Sequence, residues 1–394
     1  MIKETMLVVI SDLHLSDGTA TNNLSPRAFK HFHNLIKRAI RENTKEIIIV
    51  FAGDTFDLLR SEYWMTVQDD EKPWATDNNI DKNKIKTHLM NIFKNILDVN
   101  SESIDIIRQT DKFFYPIPVH RILILGNHDR MLGDLDGFPD ILSEAIGDIH
   151  IEKEGYKNIE YGVAVRHGHQ YDEYNFEPDG IPIGDVSTTE LFVRLPFEIK
   201  QEFPLLEDEL KSIEDIRPQW RIFDYLSSAY QKNKIKPYIE KAVDRTVESF
   251  LSIPFVKHWI KKHDTILHPL DIADRFKYML YLSKFISIER AERFLKVFSY
   301  FEINEPRYEE MAASYDSLYT VFGHTHSERI SFLSENNGLH RYYINTGTWR
   351  ERIIASKDGN FSRYKSMTYA TFYKKEERGT DFPSFELWNG ALRE

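Results

Sequence analysis

Cysteine is absent from the chain. That excludes disulfides and thiolate metal ligands, and it fits a reducing compartment. Long apolar runs are missing too, and no stretch approaches the ~20 apolar residues of a membrane-spanning helix. The opening MIKETMLVVI has too short an apolar core for a secretory leader and carries no cleavage pattern. The expectation is a soluble, cytoplasmic protein with no transmembrane segment. Basic residues are in deficit: 51 Lys and Arg against 62 Asp and Glu give a net charge of −11. Such a balance argues against non-specific binding to nucleic acid, while leaving room for a local basic groove. There is no internal repeat and no low-complexity run. What remains is a globular composition, 41% hydrophobic and 29% charged, in a chain of 394 residues. A chain of that length buries a large core and accommodates two or three domains.

Short apolar runs end in polar clusters again and again. Met6–Ile10 carries no charge and reads as a strand buried on both faces. Just past it come Asp12 and His14, two residues apart. On extended backbone they project to the same side, so a carboxylate and an imidazole would grip one cation together. Ser25 and Pro26 look like an N-cap and first turn, with Phe29, Phe32, Leu35, Ile36, Ala39 and Ile40 at helical spacing and Asn43 closing the helix. Ile47–Phe51 is a second buried strand, which predicts a right-handed βαβ unit. It runs into Gly53, a turn residue, and the carboxylates Asp54 and Asp57. Ile80–Val99 reads as a helix. Arg121–Leu125 leads to Gly126-Asn127-His128-Asp129, Tyr161–Arg166 to His167-Gly168-His169, and Leu318–Phe322 to Gly323-His324-Thr325-His326. The runs 341–345, 352–355 and 369–373 read as antiparallel strands that finish the sheet.

Between these motifs, residues 171–316 change character. Prolines divide the stretch, helical periodicity dominates, and helices are expected at 222–232, 237–251, 254–263, 273–282 and 288–301. The predicted organisation is a core in two parts, 1–170 and 317–394, with a helical insertion or cap at 171–316. Both ends of the insertion lie beside the polar clusters, so it should form a lid or wall over them. The run 250–260, FLSIPFVKHWI, is read as a helix buried in the insertion's own core, ahead of a lipid pocket or membrane contact. The lysines at 232, 234, 236, 257, 261 and 262 read as solvated faces before they read as a surface for an anionic substrate or nucleic acid.

Ligands gather outside the carboxyl ends of strands in α/β folds. The ordered set D-x-H, G-D-x-x-D, G-N-H-D, H and G-H-x-H resembles the calcineurin-like metallophosphoesterase superfamily. The resemblance implies an α/β fold, a four-layer αββα sandwich. It also implies two divalent metal ions, one held by Asp12, His14 and His326, the other by Asn127, His167 and His324, with Asp54 bridging. Donors of oxygen and nitrogen without sulfur suit Mn, Fe, Zn, Co or Ni, with Mn favoured. In that family pattern His128 matches the non-ligating catalytic histidine and Asp57 the carboxylate that orients it. His169 either binds substrate or holds a loop. Arg130, Arg166 and Arg350 lie beside motifs, where they either bind phosphate oxygens or pack; Arg130, His169 and Arg350 are taken as the candidate substrate-binding residues.

The implied activity is hydrolysis of a phosphomonoester, phosphodiester or pyrophosphate by attack of a metal-bound hydroxide, with His128 protonating the leaving group. The substrate would be a small-molecule or lipid-linked phosphate ester. HGHQYD at 167–172, with GDTFDLL, is similar to bacterial relatives of the UDP-diacylglucosamine pyrophosphatases, although that family usually has another residue where His128 stands. A DNA nuclease of the same superfamily is the next reading, and a non-catalytic binding module the last.

Overall fold

The computed structural model describes residues 4–42, 44–75, 81–178, 180–211, 213–217, 221, 225, 236–262, 305–375 and 381–392. Four strands set the frame: β1 (Glu4–Ile10), β2 (Thr44–Ala52), β3 (Val119–Ile124) and β4 (His150–Glu152), all paired in parallel. Alternate side chains of β1 serve two cores, as a period of two requires. Met6, Val8 and Ile10 face a helical layer; Leu7 and Val9 face a second sheet. A strand covered on both sides must be apolar throughout, which is why these runs were legible.

The helical layer holds α1 (Pro26–Ala39), α2 (Lys82–Val99), α3 (Ser101–Arg108), α4 (Thr110–Phe114) and α5 (Phe138–Ile146). As expected, Ser25 caps α1, its hydroxyl accepting from the Arg27 amide, and Ala28, Phe29, Phe32 and Ile36 are buried. The helix stops at Ala39, where Ile40 turns extended; Asn43 lies outside the described residues.

The other strands are β5 (Tyr156–Asn158), β6 (Val163–Val165), β7 (Ile216–Arg217), β8 (Tyr319–Phe322), β9 (Arg329–Asn336), β10 (Leu339–Asn345), β11 (Glu351–Ala355), β12 (Phe361–Tyr373) and β13 (Ser384–Ala391). One sheet runs β4-β3-β2-β1-β12-β11-β7, with β13 along β12; the other runs β5-β6-β8-β10-β9. The expected antiparallel finish holds for β11 and β12. β10 joins the second sheet instead, antiparallel to β9 on one side and parallel to β8 on the other. A two-residue turn, left-handed at Asn337 and Gly338, joins β9 to β10.

Leu7, Val9, Val50, Ile124, Val163, Val321 and Phe372 fill the space between the sheets. The far face of the second sheet is covered by the helix Glu305–Ala313, with Tyr308 and Ala312 packed on Phe322 and Tyr343. Helix, sheet, sheet, helix is the four-layer order expected.

In the 171–316 stretch, helices Lys236–Ser252 and Pro254–Lys262 occur where expected. Those at 273–282 and 288–301 lie outside the described residues, as does 222–232 apart from Tyr225. Pro254 breaks the FLSIPFVKHWI run in two. Phe250, Val256 and Trp259 are buried as expected, but in a cluster that includes Trp74 of the 1–170 part beside Ile183 and Leu191, not in a core of the insertion alone. Two pieces of the stretch belong to the sheets themselves. Ile216–Arg217 pairs with β11 at the edge of the large sheet, and Glu305–Ala313 covers the small one. No helix among the described residues is long and apolar enough to cross a membrane.

Candidate metal centre

The loops that follow β1, β2, β3, β6 and β8 meet at one place. Backbone bonds zip the first two together: the amides of Asp12, His14 and Leu15 donate to the carbonyls of Gly53, Asp54 and Thr55 at 3.1, 2.8 and 2.9 Å. The local conformation differs from the extended one expected of Asp12 and His14. Both are left-handed, with φ of 53° and 47°, as are Asp54 (50°), His324 (65°) and His326 (58°). The hairpin residue Asn337 is the only other non-glycine in that region among the described residues. Side chains with a Cβ occupy this conformation at a cost of about 1–3 kcal/mol each, sustained where the surroundings over-determine them. Five such residues, all among the polar ends read from sequence, mark a functional cluster independently of any motif.

Three glycines make the convergence possible. A Cβ on Gly53 would collide with His167, one on Gly126 with the Asp54 carboxylate, and one on Gly323 with the Asp12 carboxylate. Each loop therefore uses its glycine to admit a polar side chain from another loop.

The donors fall into two sets that share Asp54. In the first, His14 Nε2 lies 3.0 Å from His326 Nε2 and 3.6 Å from Asp54 Oδ2, and His326 Nε2 lies 3.2 Å from Asp12 Oδ1. In the second, His167 Nε2 lies 3.2 Å from Asp54 Oδ2 and 3.1 Å from Asn127 Oδ1, with His324 beside them. The opposite ring nitrogens are tied down. His14 Nδ1 lies 2.9 Å from Asp57 Oδ2, His167 Nδ1 2.9 Å from the Ala52 carbonyl, and His324 Nε2 3.0 Å from Asp172 Oδ2. Tying down those nitrogens aims the other nitrogen of each ring into the cluster, where a lone pair faces a cation once any second proton has left, which is the arrangement of imidazoles that bind metal.

The electrostatics favour a cation. Burial opposes charge on His167, yet the Asp54 and Asp12 carboxylates outweigh it and raise its pKa to about 9. Burial dominates at His14, which falls to about 4, and at His326, which falls well below its ordinary value; both imidazoles are neutral donors at pH 7. Buried carboxylates beside neutral imidazoles form a well for positive charge, with the donor types that divalent transition metals take.

Beside this cluster sits a third group, His14, Asp57 and His128. Its carboxylate is shared: Asp57 Oδ1 lies 2.9 Å from His128 Nδ1, and Oδ2 serves His14. Arg60 completes it, its amide donating to Asp57 Oδ1 at 3.0 Å and its guanidinium lying 3.2 Å from Oδ2. Burial would raise the Asp57 pKa, but His128 and Arg60 pull it well below the usual range. For His128, burial works against the imidazolium while Asp57 and Asp54 prevail, so its pKa is raised.

The candidate substrate-binding residues lie elsewhere. The cleft beside Asp54 is lined by Asn127, His128, His324 and His326, and by Arg60, Tyr174, Phe192, Glu214, Arg217 and Tyr308. Arg130, His169 and Arg350 are not in its lining. Arg130 is paired with the buried Asp185. Arg350 is buried, held 2.7 Å from Asp215 and bonded to Thr21. His169 is buried 5.3 Å, ring to ring, from His167. Arg166 lies over the Tyr315 ring. Sequence spacing put these groups next to motifs, but Arg130 and Arg350 answer to buried carboxylates, and Arg166 to Tyr315 and the exposed Glu154. Arg60, three residues after Asp57, was open to an i, i+3 argument; Glu214 and Arg217 belong to no motif.

Against known families, the model of the calcineurin-like phosphoesterases matches residues 5–260 of this chain, well over half of it. No curated protein matches. His324 and His326 lie beyond the matched span, and the second sheet brings them to the cluster.

Proposed function

The chain belongs to the calcineurin-like phosphoesterase family, and from that premise we propose that it is a metal-dependent phosphoester hydrolase with a two-cation site. Asp12, His14, Asp54 and His326 would hold one divalent cation, and Asp54, Asn127, His167 and His324 the other. Mn is the first choice among Mn, Fe, Zn, Co and Ni. When bound, such a pair supplies Lewis-acid stabilisation of phosphoryl charge and a nucleophilic water at neutral pH. The observation that carries the reading is Asp54, one carboxylate on which two sets of buried and half-buried donors converge.

The protein's own groups complete the chemistry. Asp57 fixes the His128 ring through Nδ1, which leaves Nε2 to give its proton to the departing oxygen. The raised His128 pKa keeps that proton available near neutrality. Residues of the 171–316 stretch, among them Tyr174, Phe192, Glu214, Arg217 and Tyr308, form the wall that meets the leaving group. That supports the insertion as a wall of the site and residues 1–170 with 317–394 as its base. The HGHQYD run contributes both His167 and the Asp172 that orients His324, so UDP-sugars belong among the substrates tried.

The test is a panel with metal-stripped, Mn²⁺-reloaded protein: an aryl phosphomonoester, an aryl phosphodiester, UDP-sugars, cyclic nucleotides and single-stranded DNA. Hydrolysis of at least one, abolished by EDTA and restored by Mn²⁺, is expected. Activity on none would favour a binding module, and a preference for DNA would favour a nuclease.

A further inference from the structure

We propose that Arg217 is the phosphate-binding residue of this cleft, delivered to it by the short strand β7. The proposal rests on the phosphoester reading above and names the group that takes the non-bridging oxygens.

Of the other arginines around the site, Arg352 is held by Glu328 and the His326 carbonyl, and three more are engaged as well. Arg60 is held between Asp57 and Glu214, Arg130 by Asp185, and Arg350 by Asp215. Arg217 has no carboxylate within ion-pair distance among the described residues. Its Nη1 donates to the carbonyls of Glu214 and Ile216, at 2.5 and 3.0 Å. No other nitrogen of its side chain has an acceptor among the described residues, and the residue lines the cleft with His128, His326 and Ser327. A guanidinium with free N–H groups in a cleft of phosphoester chemistry is suited to a phosphoryl group, since its planar fork matches two oxygens at once.

Its position is fixed before any ligand arrives. Ile216 is fully buried against Ile353, and the register Ile216↔Ile353 and Arg217↔Ile354 pins the backbone to the edge of the large sheet. On the preceding residues, Glu214 reaches Arg60 and Asp215 reaches Arg350. The two bonds from Nη1 to its own turn hold the side chain as well. Little freedom is left to lose on binding, which favours affinity. Equatorial phosphoryl oxygens carry the spread charge in phosphoryl transfer, and a cation placed on them serves both binding and rate.

The experiment titrates inorganic phosphate into the full-length, Mn²⁺-loaded chain by calorimetry, for wild type, R217A, R217Q and R217K. Loss of a charge-assisted bond predicts phosphate binding roughly 10- to 100-fold weaker in R217A and R217Q. R217K should recover part of it. Mn²⁺ stoichiometry and Tm should stay at wild-type values, and millimolar guanidinium should restore binding to R217A. Wild-type affinity in both R217A and R217Q would overturn the proposal, as would weak binding explained by lost Mn²⁺ or a lowered Tm, or a wild-type chain that binds no phosphate. A chain that binds phosphate through Arg217 yet hydrolyses nothing in the substrate panel would sink the catalytic reading and leave this one standing. Hydrolysis that ignores position 217, with phosphate affinity unchanged, would do the reverse.

Discussion

At the scale of single residues, Asp57 and His128 carry the sharpest expectations. His128 lies outside both donor sets around Asp54, bonded through Nδ1 to Asp57. His128→Ala should therefore lower kcat by roughly 10²- to 10⁴-fold, the usual weight of a general acid, with both metals retained. Elemental analysis of the purified variant checks this, and loss of a metal would make His128 a ligand. Asp57 acts on His128 through charge as well as position. Against the desolvating effect of burial, it is the largest influence holding the His128 pKa up. Asp57→Asn removes that charge, so the His128 pKa falls. Because His128 must be protonated to act, the alkaline limb of kcat should move to lower pH in the variant. A pH–rate profile measured beside the wild type decides it, and an unmoved limb would mean that Asp57 does not set the acid's pKa.

Among the elements, α1 carries a pH-sensitive group remote from the site. His33 is buried on that helix, with Nε2 3.1 Å from the Thr110 hydroxyl and the rings of Phe113 and Phe114 around it. Burial first, then the Arg121 charge, lowers its pKa from 6.5 to about 4. The folded state keeps the neutral ring while the unfolded chain binds a proton below 6.5. Its contribution is thus whole above pH 6.5 and is lost as pH falls toward 4, a change of about 3 kcal/mol. His33→Phe should flatten this part of the acid limb in denaturant melts taken between pH 6.5 and 4. The β9–β10 hairpin offers a different lesson. Its Asn337-Gly338 pair is a strong local turn signal, present in the sequence and left unused, because β9 is mostly exposed and has no apolar run to announce a strand. The three-residue strands β4 and β5 left even less to read.

For the whole molecule, the candidate centre is where charge and strain are concentrated. Asp12 and Asp54 are buried beside one another, and both are left-handed, as are His14, His324 and His326 around them. Cations that bind the folded state alone stabilise it by mass action, about 2.7 kcal/mol at a hundred times Kd. Stripping the metals should lower Tm by several degrees and Mn²⁺ should restore it. In Asp54→Asn, which weakens both donor sets together, the Mn²⁺-dependent rise in Tm should shrink to a small fraction of the wild-type rise. A full rise in that variant would remove Asp54 from the centre of the scheme.

The sequence alone determined the inventory. Parallel strands buried on both faces must be unbroken apolar runs, so β1, β2 and β3 were legible, and so were the Asp, Asn and His residues stranded at their ends. The capped, amphipathic α1 was legible for the same reason: its physics is local. Only the tertiary structure decided how those residues meet. Strand pairing placed β8 beside β6, and that pairing brings His324 and His326 to Asp54 and Asp12 across the gap between the sheets. The left-handed turn at Asp12 and His14, the sharing of Asp57 by two imidazoles, and the seating of Arg217 at a sheet edge depend on contacts with distant loops. No local pattern encodes them, because a loop residue takes its backbone angles and its side-chain partner from whatever the fold packs against it.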